Sequence, residues 1–113
     1  MHHDRHVKHT LRLYGMRGDH IHLFLDQFWP KYKISHRRLL HHQLGIELAV
    51  RRFGEEARSP AKLHIIDDLG CVPATWLDHN PHLVYLEPGD KAAQEEDLIL
   101  LYGRETYESV RYG

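Results

Sequence analysis

Histidine and aspartate together carry the chemistry that this sequence offers. Twelve of the 113 residues are histidines. His64 and Asp68 are four residues apart, so on a helix they share one face and present an imidazole nitrogen beside a carboxylate oxygen. These donors suit a divalent transition metal, with zinc, iron, manganese and nickel as the candidates. The pattern therefore predicts one metal ion bound by side chains from several helices.

The first helical segment, residues 2–14, offers a further ligand. His3 precedes Val7 by one helical turn and lies on the face that the apolar residues mark, whereas His9 faces outward. Gly15 follows the segment and is typical of a helix end. Because the apolar face must pack on the core, we expect His3 to point inward.

The third helical segment, residues 35–53, is predicted as one continuous helix. His42 lies near the centre of its apolar stripe and His36 at the flank, while His41 points nearly the opposite way. The predicted metal ligands are therefore His3, His42, His64 and Asp68, with His36 and His2 in reserve. The alternative is structural: a buried imidazole can instead be hydrogen-bonded to a backbone carbonyl or to an aspartate.

Hydrophobic periodicity and the positions of glycine and proline predict the elements that hold these residues. The fold class is mostly α, a small single-domain bundle of four to five helices, with one short strand as an option at residues 82–86. The predicted helices cover about residues 2–14, 21–28, 35–53, 60–69 and 91–102. Residues 1–79 form the histidine-rich helical core, and residues 80–113 are an acidic C-terminal extension packed on the same domain.

Charge is divided unevenly along the chain. Residues 1–53 carry a net +6 and residues 54–113 a net −7, which gives the overall −1. Four arginines form a cationic outer face on the predicted third helix that could contact phosphate groups or nucleic acid: Arg37, Arg38, Arg51 and Arg52. The same polarity also suits a protein partner, a homo-oligomer, or neutralisation of one half by the other within the fold.

Several functional classes lack their usual motifs. No apolar run approaches the roughly 20 residues of a membrane span, and the beginning of the chain has histidines and charges where a secretory signal needs apolar residues. Cys71 is the one cysteine, which fits a reducing cytoplasm. Neither a glycine-rich phosphate loop nor a Gly-x-Ser-x-Gly elbow occurs. A cytoplasmic protein without membrane association is therefore expected.

Several short motifs occur along the chain in a fixed order. They are His-His at 2–3, His-Arg at 36–37, His-His at 41–42, Gly-Ile at 45–46, Phe-Gly at 53–54 and His-x-x-x-Asp at 64–68. In these motifs, residues 2–79 resemble a family of small histidine-rich bacterial and phage proteins, a domain of unknown function. The resemblance implies an intracellular bacterial or phage protein and supports the same histidines as a set, but it implies no activity. Residues 82–113 depart from the family pattern.

Three functional hypotheses follow from these observations. The first is a small divalent-metal-binding protein, with metal-dependent hydrolysis of a phosphate ester as the reaction such an ion would serve. The second is a non-catalytic bacterial or phage interaction or adaptor module whose histidines are structural. The third is a nucleic-acid-binding protein that uses the basic first half.

Overall fold

The computed structural model describes residues 3–113, and 74% of it is helical. The helices are α1 His3–Tyr14, α2 Asp19–Leu25, α3 Trp29–Tyr32, α4 Arg37–Leu40, α5 Gln43–Phe53, α6 Arg58–Leu69, α7 Asp90–Tyr102 and α8 Arg104–Tyr112. Short 3₁₀ turns occupy Lys33–His36, Glu55–Ala57 and Trp76–Asp78. The mostly α-helical fold class is therefore confirmed. Six of the described helices have seven residues or more, slightly above the predicted four to five.

The short strand that the sequence leaves as an option at residues 82–86 is not formed. The described part of the chain contains no strand, and this segment is a turn followed by irregular backbone. The backbone nitrogens of Leu83 and Val84 donate to the Asn80 carbonyl oxygen at 2.9 and 3.0 Å. Because these local hydrogen bonds close a turn, the same donors cannot pair with a neighbouring strand.

The single helix predicted at residues 35–53 is interrupted after Leu40. His41 and His42 both leave the helical conformation, with φ and ψ of −86° and 63° and of −161° and 178°. His42 then begins α5, where its Nδ1 accepts a hydrogen bond from the Gly45 backbone nitrogen at 3.2 Å. A Cβ at Gly45 would overlap the Leu40 carbonyl, so glycine permits this close approach. The break resets the helical phase for every residue after it.

Helix α1 buries a face that is shifted from the one that its apolar residues predict. Its buried residues are His6, Val7 and Thr10, whereas Leu11 is 47% exposed and Tyr14 is 46% exposed. Thr10 Oγ1 lies 2.8 Å from His22 Nε2 on α2. Polar groups can be buried when they find hydrogen-bond partners, and α1 accordingly packs through its histidine-bearing side.

One hydrophobic core joins the C-terminal helices to the middle of the chain. Leu98 of α7 and Tyr107 of α8 belong to the same core as Leu39 of α4 and Ile65 of α6. Trp76 stacks on Tyr107, with the ring centroids 5.9 Å apart. The acidic C-terminal helices therefore pack against the histidine-rich part of the chain. None of the helices described is both long and apolar enough to traverse a bilayer.

Candidate metal centre

Four side chains from three parts of the fold converge on one point. Asp26 directly follows α2, and His41 lies at the break between α4 and α5; His64 and Asp68 lie one turn apart on α6. His41 Nε2 is 3.0 Å from Asp68 Oδ2 and 3.4 Å from Asp26 Oδ1. His64 Nε2 is 3.5 Å from the same Asp68 oxygen and 3.1 Å from the same Asp26 oxygen. We refer to these four residues as the His–Asp quartet.

The quartet alternates imidazole nitrogens and carboxylate oxygens. Each nitrogen faces both oxygens, and the His41–Asp68 and His64–Asp26 pairs, at 3.0 and 3.1 Å, also have hydrogen-bond geometry. Four ligand atoms held about 2.0–2.2 Å from a tetrahedral metal lie about 3.3–3.6 Å from one another. The four nitrogen–oxygen separations of 3.0–3.5 Å are close to this range, and all four ligand atoms lie within 4.8 Å of one another, so the quartet could hold a metal ion.

The carboxylates of the quartet are ionised in this setting. Burial alone would raise the pKa of Asp26, but hydrogen bonds from His36 and His64 outweigh it and lower the pKa far below its usual range. Burial would likewise raise the pKa of Asp68, and hydrogen bonding, chiefly from His41, lowers it instead. Two negative charges therefore lie close together on this side of the protein.

The imidazoles of the quartet are neutral, because burial opposes their protonation. It lowers the pKa of His41 to about 3, against the opposing effect of the hydrogen bond to Asp68. Burial also lowers the pKa of His64. A neutral imidazole keeps a lone pair that a metal can use. Two neutral imidazoles and two carboxylates give the quartet a charge complementary to that of a divalent cation.

A second group of buried histidines adjoins the quartet and shares His64 with it. This histidine trio, His6, His22 and His64, also brings its ligand atoms within 4.8 Å of one another. His22 Nδ1 lies 2.8 Å from His64 Nδ1, while the ring centroids are 5.0 Å apart. The two nitrogens therefore point at each other nearly head-on, which is the geometry of an N–H···N hydrogen bond. Ligands of one ion would instead aim their lone pairs at a shared third point.

A chain of hydrogen bonds continues from the trio into α1. His22 Nε2 lies 2.8 Å from Thr10 Oγ1, so Thr10, His22 and His64 form a chain that ends at the quartet. Burial, followed by the charges of the neighbouring histidines, lowers the pKa of His22 to about 3. A neutral imidazole has one donor and one acceptor nitrogen, which is what a residue in the middle of such a chain requires.

His6 takes part in the trio by stacking. Its ring centroid is 3.7 Å from that of His64, with 20° between the ring planes. Its Nε2 lies 3.3 Å from Asp68 Oδ1, and neither ring nitrogen makes a hydrogen bond of good geometry within residues 3–113. Nearly parallel stacked rings do not aim their in-plane lone pairs at one ion. His6 therefore faces the outer oxygen of Asp68 rather than a site shared with His64.

A cavity of about 630 Å³ lies beside the quartet. Its polar lining consists of Asp26, Asp68, His36, Arg37 and His3. Its apolar lining consists of Leu23, Trp29, Pro30 and Ile34. The volume falls in the range of about 300–1,000 Å³ that is usual for small-molecule sites. A ligand in this cavity would meet both carboxylates of the quartet.

Comparison with models of protein families, with curated proteins and with solved structures found no match. The resemblance to histidine-rich bacterial and phage proteins therefore stays a prediction. What the chain does has to be inferred from the quartet and the cavity, whose side chains could hold a metal ion.

The structure brings two of the predicted ligands, His64 and Asp68, into the quartet. His36 adjoins it, because its Nε2 is 3.0 Å from Asp26 Oδ1 while its Nδ1 is 2.7 Å from the Lys33 carbonyl oxygen. His2 lies outside the described residues.

The other two predicted ligands, His3 and His42, lie away from the quartet. His3 Nε2 is 3.9 Å from Asp19 Oδ1, and its side chain is 34% exposed at the cavity. His42 caps α5, and its Nε2 lies 3.1 Å from the carbonyl oxygens of Arg38 and Leu39. The predicted convergence differs from the structure for two reasons: α1 packs through another face, and the predicted third helix is broken at His42.

Four residues of the two groups are absent from the predicted ligand set: Asp26, His41, His6 and His22. For Asp26 the sequence does contain a useful pattern, since His22 and Asp26 have the same four-residue spacing as His64 and Asp68. His41 is directed inward by the break after α4, and the nearby Gly45 is the one local sign of that break. His6 was obscured by the apolar pattern of α1.

The four arginines predicted as one cationic face are divided by the same break. Arg37 and Arg38 are partly buried; Arg37 Nη2 lies 3.5 Å from Asp68 Oδ1, and Arg38 donates to Gln94 Oε1 at 2.7 Å. Arg51 and Arg52 are exposed near the end of α5. The continuous exposed face expected for contact with phosphates or nucleic acid is therefore not formed.

Proposed function

We propose that Asp26, His41, His64 and Asp68 bind one divalent transition-metal ion. The observation that carries this proposal is the alternating quartet, in which two imidazole nitrogens each lie 3.0–3.5 Å from the same two carboxylate oxygens. The Asp68 side chain is only 2% exposed and that of Asp26 is 26% exposed. Arg37 already lies 3.5 Å from Asp68, and a divalent cation where the four atoms converge would be shared by both carboxylates.

Neighbouring side chains would hold these ligands in place. A histidine that binds a metal through one nitrogen usually donates its other N–H bond to a fixed acceptor. His64 Nδ1 lies 2.8 Å from His22 Nδ1, and His22 Nε2 lies 2.8 Å from Thr10 Oγ1; a metal on His64 Nε2 would place the donated N–H on His64 Nδ1. His36, at the end of the 3₁₀ turn before α4, contacts Asp26. His64 and Asp26 are thus supported by side chains of neighbouring elements.

The reaction that this arrangement favours is hydrolysis of a phosphate ester. A bound divalent ion polarises a phosphoryl oxygen and lowers the pKa of water. Arg37 lies beside the quartet, where its guanidinium could hold a nonbridging phosphate oxygen. A bond forms between the oxygen of water and phosphorus, and the bond between phosphorus and the ester oxygen breaks. The leaving alcohol takes up the proton that the water gives up.

Metal content tests the binding proposal. Protein purified without immobilised nickel is loaded with Zn²⁺, Mn²⁺, Fe²⁺ or Ni²⁺, dialysed, and analysed by mass spectrometry of the elements. We expect one retained ion per chain in the wild type and its loss in Asp26→Asn and Asp68→Asn. Asp67→Asn is the matched control, because Asp67 lies next to Asp68 on α6 but pairs with His9. A wild type without stoichiometric metal, or an Asp68→Asn variant that keeps it, contradicts the proposal.

Hydrolysis is tested separately with 4-nitrophenyl phosphate and bis(4-nitrophenyl) phosphate. We expect the metal-loaded wild type and Asp67→Asn to release 4-nitrophenol from at least one of them. Chelated protein and Asp68→Asn should remain at the background rate. If the loaded wild type also stays at the background rate, the proposed hydrolysis is contradicted, but the proposed metal site is not.

A further inference from the structure

The cavity beside the quartet is lined by two chemically different sets of side chains. One set is polar and includes the quartet carboxylates and Arg37, and the other consists of four apolar side chains. Three of these apolar side chains are unusually exposed: Leu23 at 60%, Trp29 at 47% and Ile34 at 37%. Large apolar side chains that are grouped around a cavity are typical of a ligand site. The ligand should therefore have a polar end and an apolar body.

Arg37 identifies the charge of the polar end. Its side chain is 14% exposed, and its Nη2 lies 3.5 Å from Asp68 Oδ1. Its buried Nε makes no hydrogen bond to any residue that the structure describes. A buried guanidinium donor without an acceptor is costly, and guanidinium pairs best with carboxylate or phosphate oxygens. Although Nε itself is closed to solvent, Arg37 lines the cavity, so its guanidinium can meet an anionic group there.

Trp29 sets the shape of the apolar body. Its indole contacts the edge of the His36 ring, with centroids 5.5 Å apart and 88° between the planes. Lys33 Nζ lies 5.8 Å from the same indole. Because His36 also contacts Asp26, one side chain separates the apolar wall from the quartet. A ligand therefore needs only about one aromatic ring beyond its anionic group to reach both sides.

We propose that this cavity binds a phosphate monoester with an aromatic leaving group. The phosphate lies between the quartet and Arg37, and the aromatic group packs on Trp29 and Ile34. This inference rests on the proposed metal centre, because Asp26 and Asp68 repel an anion until a cation compensates their charge. It narrows the substrate from any phosphate ester to an amphipathic one.

Calorimetric titration with stable phosphonates tests this assignment, with metal content measured in every sample. We expect benzylphosphonate to bind the metal-loaded wild type at least about tenfold more tightly than methylphosphonate, because its ring is buried. Chelated protein should bind neither compound. Phenylacetate carries the same ring on a carboxylate, and tighter binding of phenylacetate than of benzylphosphonate would overturn the choice of phosphate.

Two variants separate the polar side from the apolar side. Arg37→Gln should weaken the binding of both phosphonates by about tenfold or more, because a charge-assisted hydrogen bond to the phosphonate group is lost. Trp29→Ala should remove the preference for benzylphosphonate and leave methylphosphonate unchanged. Both variants should retain their metal, and Arg51→Gln, at an exposed arginine, is the matched control.

The possible failures are distinguishable by metal content. Equal affinity for the two phosphonates, with metal retained, contradicts the proposal that the cavity binds an aromatic group, but it does not contradict the metal centre. An Arg37→Gln variant with wild-type affinity overturns the assigned anion partner. A wild type that holds no metal overturns the metal centre, and with it this placement of the phosphate.

Discussion

The quartet and the histidine trio share His64, yet they are built for different tasks. In the quartet, two neutral imidazole nitrogens alternate with two carboxylate oxygens at 3.0–3.5 Å. The trio contains no carboxylate. Its closest contact is a head-on pair of nitrogens at 2.8 Å, and its third ring is stacked on His64. The direction of the lone pairs, rather than the density of histidines, separates the two groups.

The two regions also differ in access. Asp26 and Asp68 line the cavity, whereas His6 and His22 are fully buried and are not among the residues that line it. A small molecule can therefore reach the quartet but not the interior of the trio. Under the proposed function, the quartet would bind the metal ion and the trio would position His64, which belongs to both groups.

The largest effect is expected where the two regions meet. His64→Gln removes a quartet ligand and also leaves His22 Nδ1 without its partner. We expect metal affinity to fall by more than about 100-fold, beyond what changes around the ligands usually cost. Unfolding of the metal-free variant should become easier by about 1–3 kcal/mol, because a buried acceptor loses its hydrogen bond. Chelator competition and urea denaturation measure these changes.

The exposed His82 provides the control for this variant. His82→Gln makes the same chemical change away from both groups and should behave like the wild type. If His64→Gln keeps wild-type metal affinity, the quartet is not the metal site and the distinction between the two regions fails.

A smaller effect is expected inside the trio. His22→Gln leaves all four quartet residues in place but removes the acceptor that orients His64. We expect metal affinity to fall by about 10–100-fold, with one ion still bound at saturation. Thr10→Val, one step further along the chain, should reduce the affinity less than His22→Gln does. A loss of stoichiometry in His22→Gln would mean that the trio itself holds the ion.

Much of the fold could be predicted from the sequence because the helices are marked by local features. Gly70 ends α6 in the left-handed conformation with φ 79°, as its position after the apolar residues indicates. The last long helix was predicted at 91–102 and occupies Asp90–Tyr102. The tail after Arg104 gave no clear pattern and forms α8. Periodicity and glycine positions were sufficient for the mostly α class.

The candidate site could be predicted only in part, because its geometry depends on tertiary contacts. Because His64 and Asp68 lie within one regular helix, their four-residue spacing is sufficient to predict this pair. His41 was assigned to the outside because helical phase was extended across a break that occurs at His41 and His42. In α1, His6 is buried because its ring stacks on His64 of α6 and lies beside Asp68. Neither effect is encoded within one segment.

A third variant tests the difference between the predicted and observed ligand sets. His42→Asn removes an imidazole from the position that helical phase favoured, while asparagine can still cap α5. We expect metal affinity to remain within about twofold of the wild type. Stability should fall by about 1–3 kcal/mol, because the hydrogen bonds from His42 to the Arg38 and Leu39 carbonyl oxygens are lost. Loss of metal in this variant would instead favour the set predicted from the sequence.

The smallest effect concerns a histidine that belongs to neither region. Burial, and then the charge of Arg38, lowers the pKa of His79 from 6.5 to about 4 in the folded protein. Between these values the unfolded chain binds a proton that the folded chain does not. Stability is therefore complete above about pH 6.5 and falls on acidification, by roughly 1.4 kcal/mol per pH unit for one such group.

His79→Leu should remove this contribution and leave the metal affinity unchanged. Urea denaturation of chelated wild type and variant, near neutral pH and near pH 5, measures the difference in slope. With metal absent, any acid sensitivity that remains in His79→Leu comes from the other buried imidazoles, including those of the quartet and the trio. An unchanged slope would mean that His79 is protonated in the folded protein, and burial alone would then not keep histidines neutral in this fold.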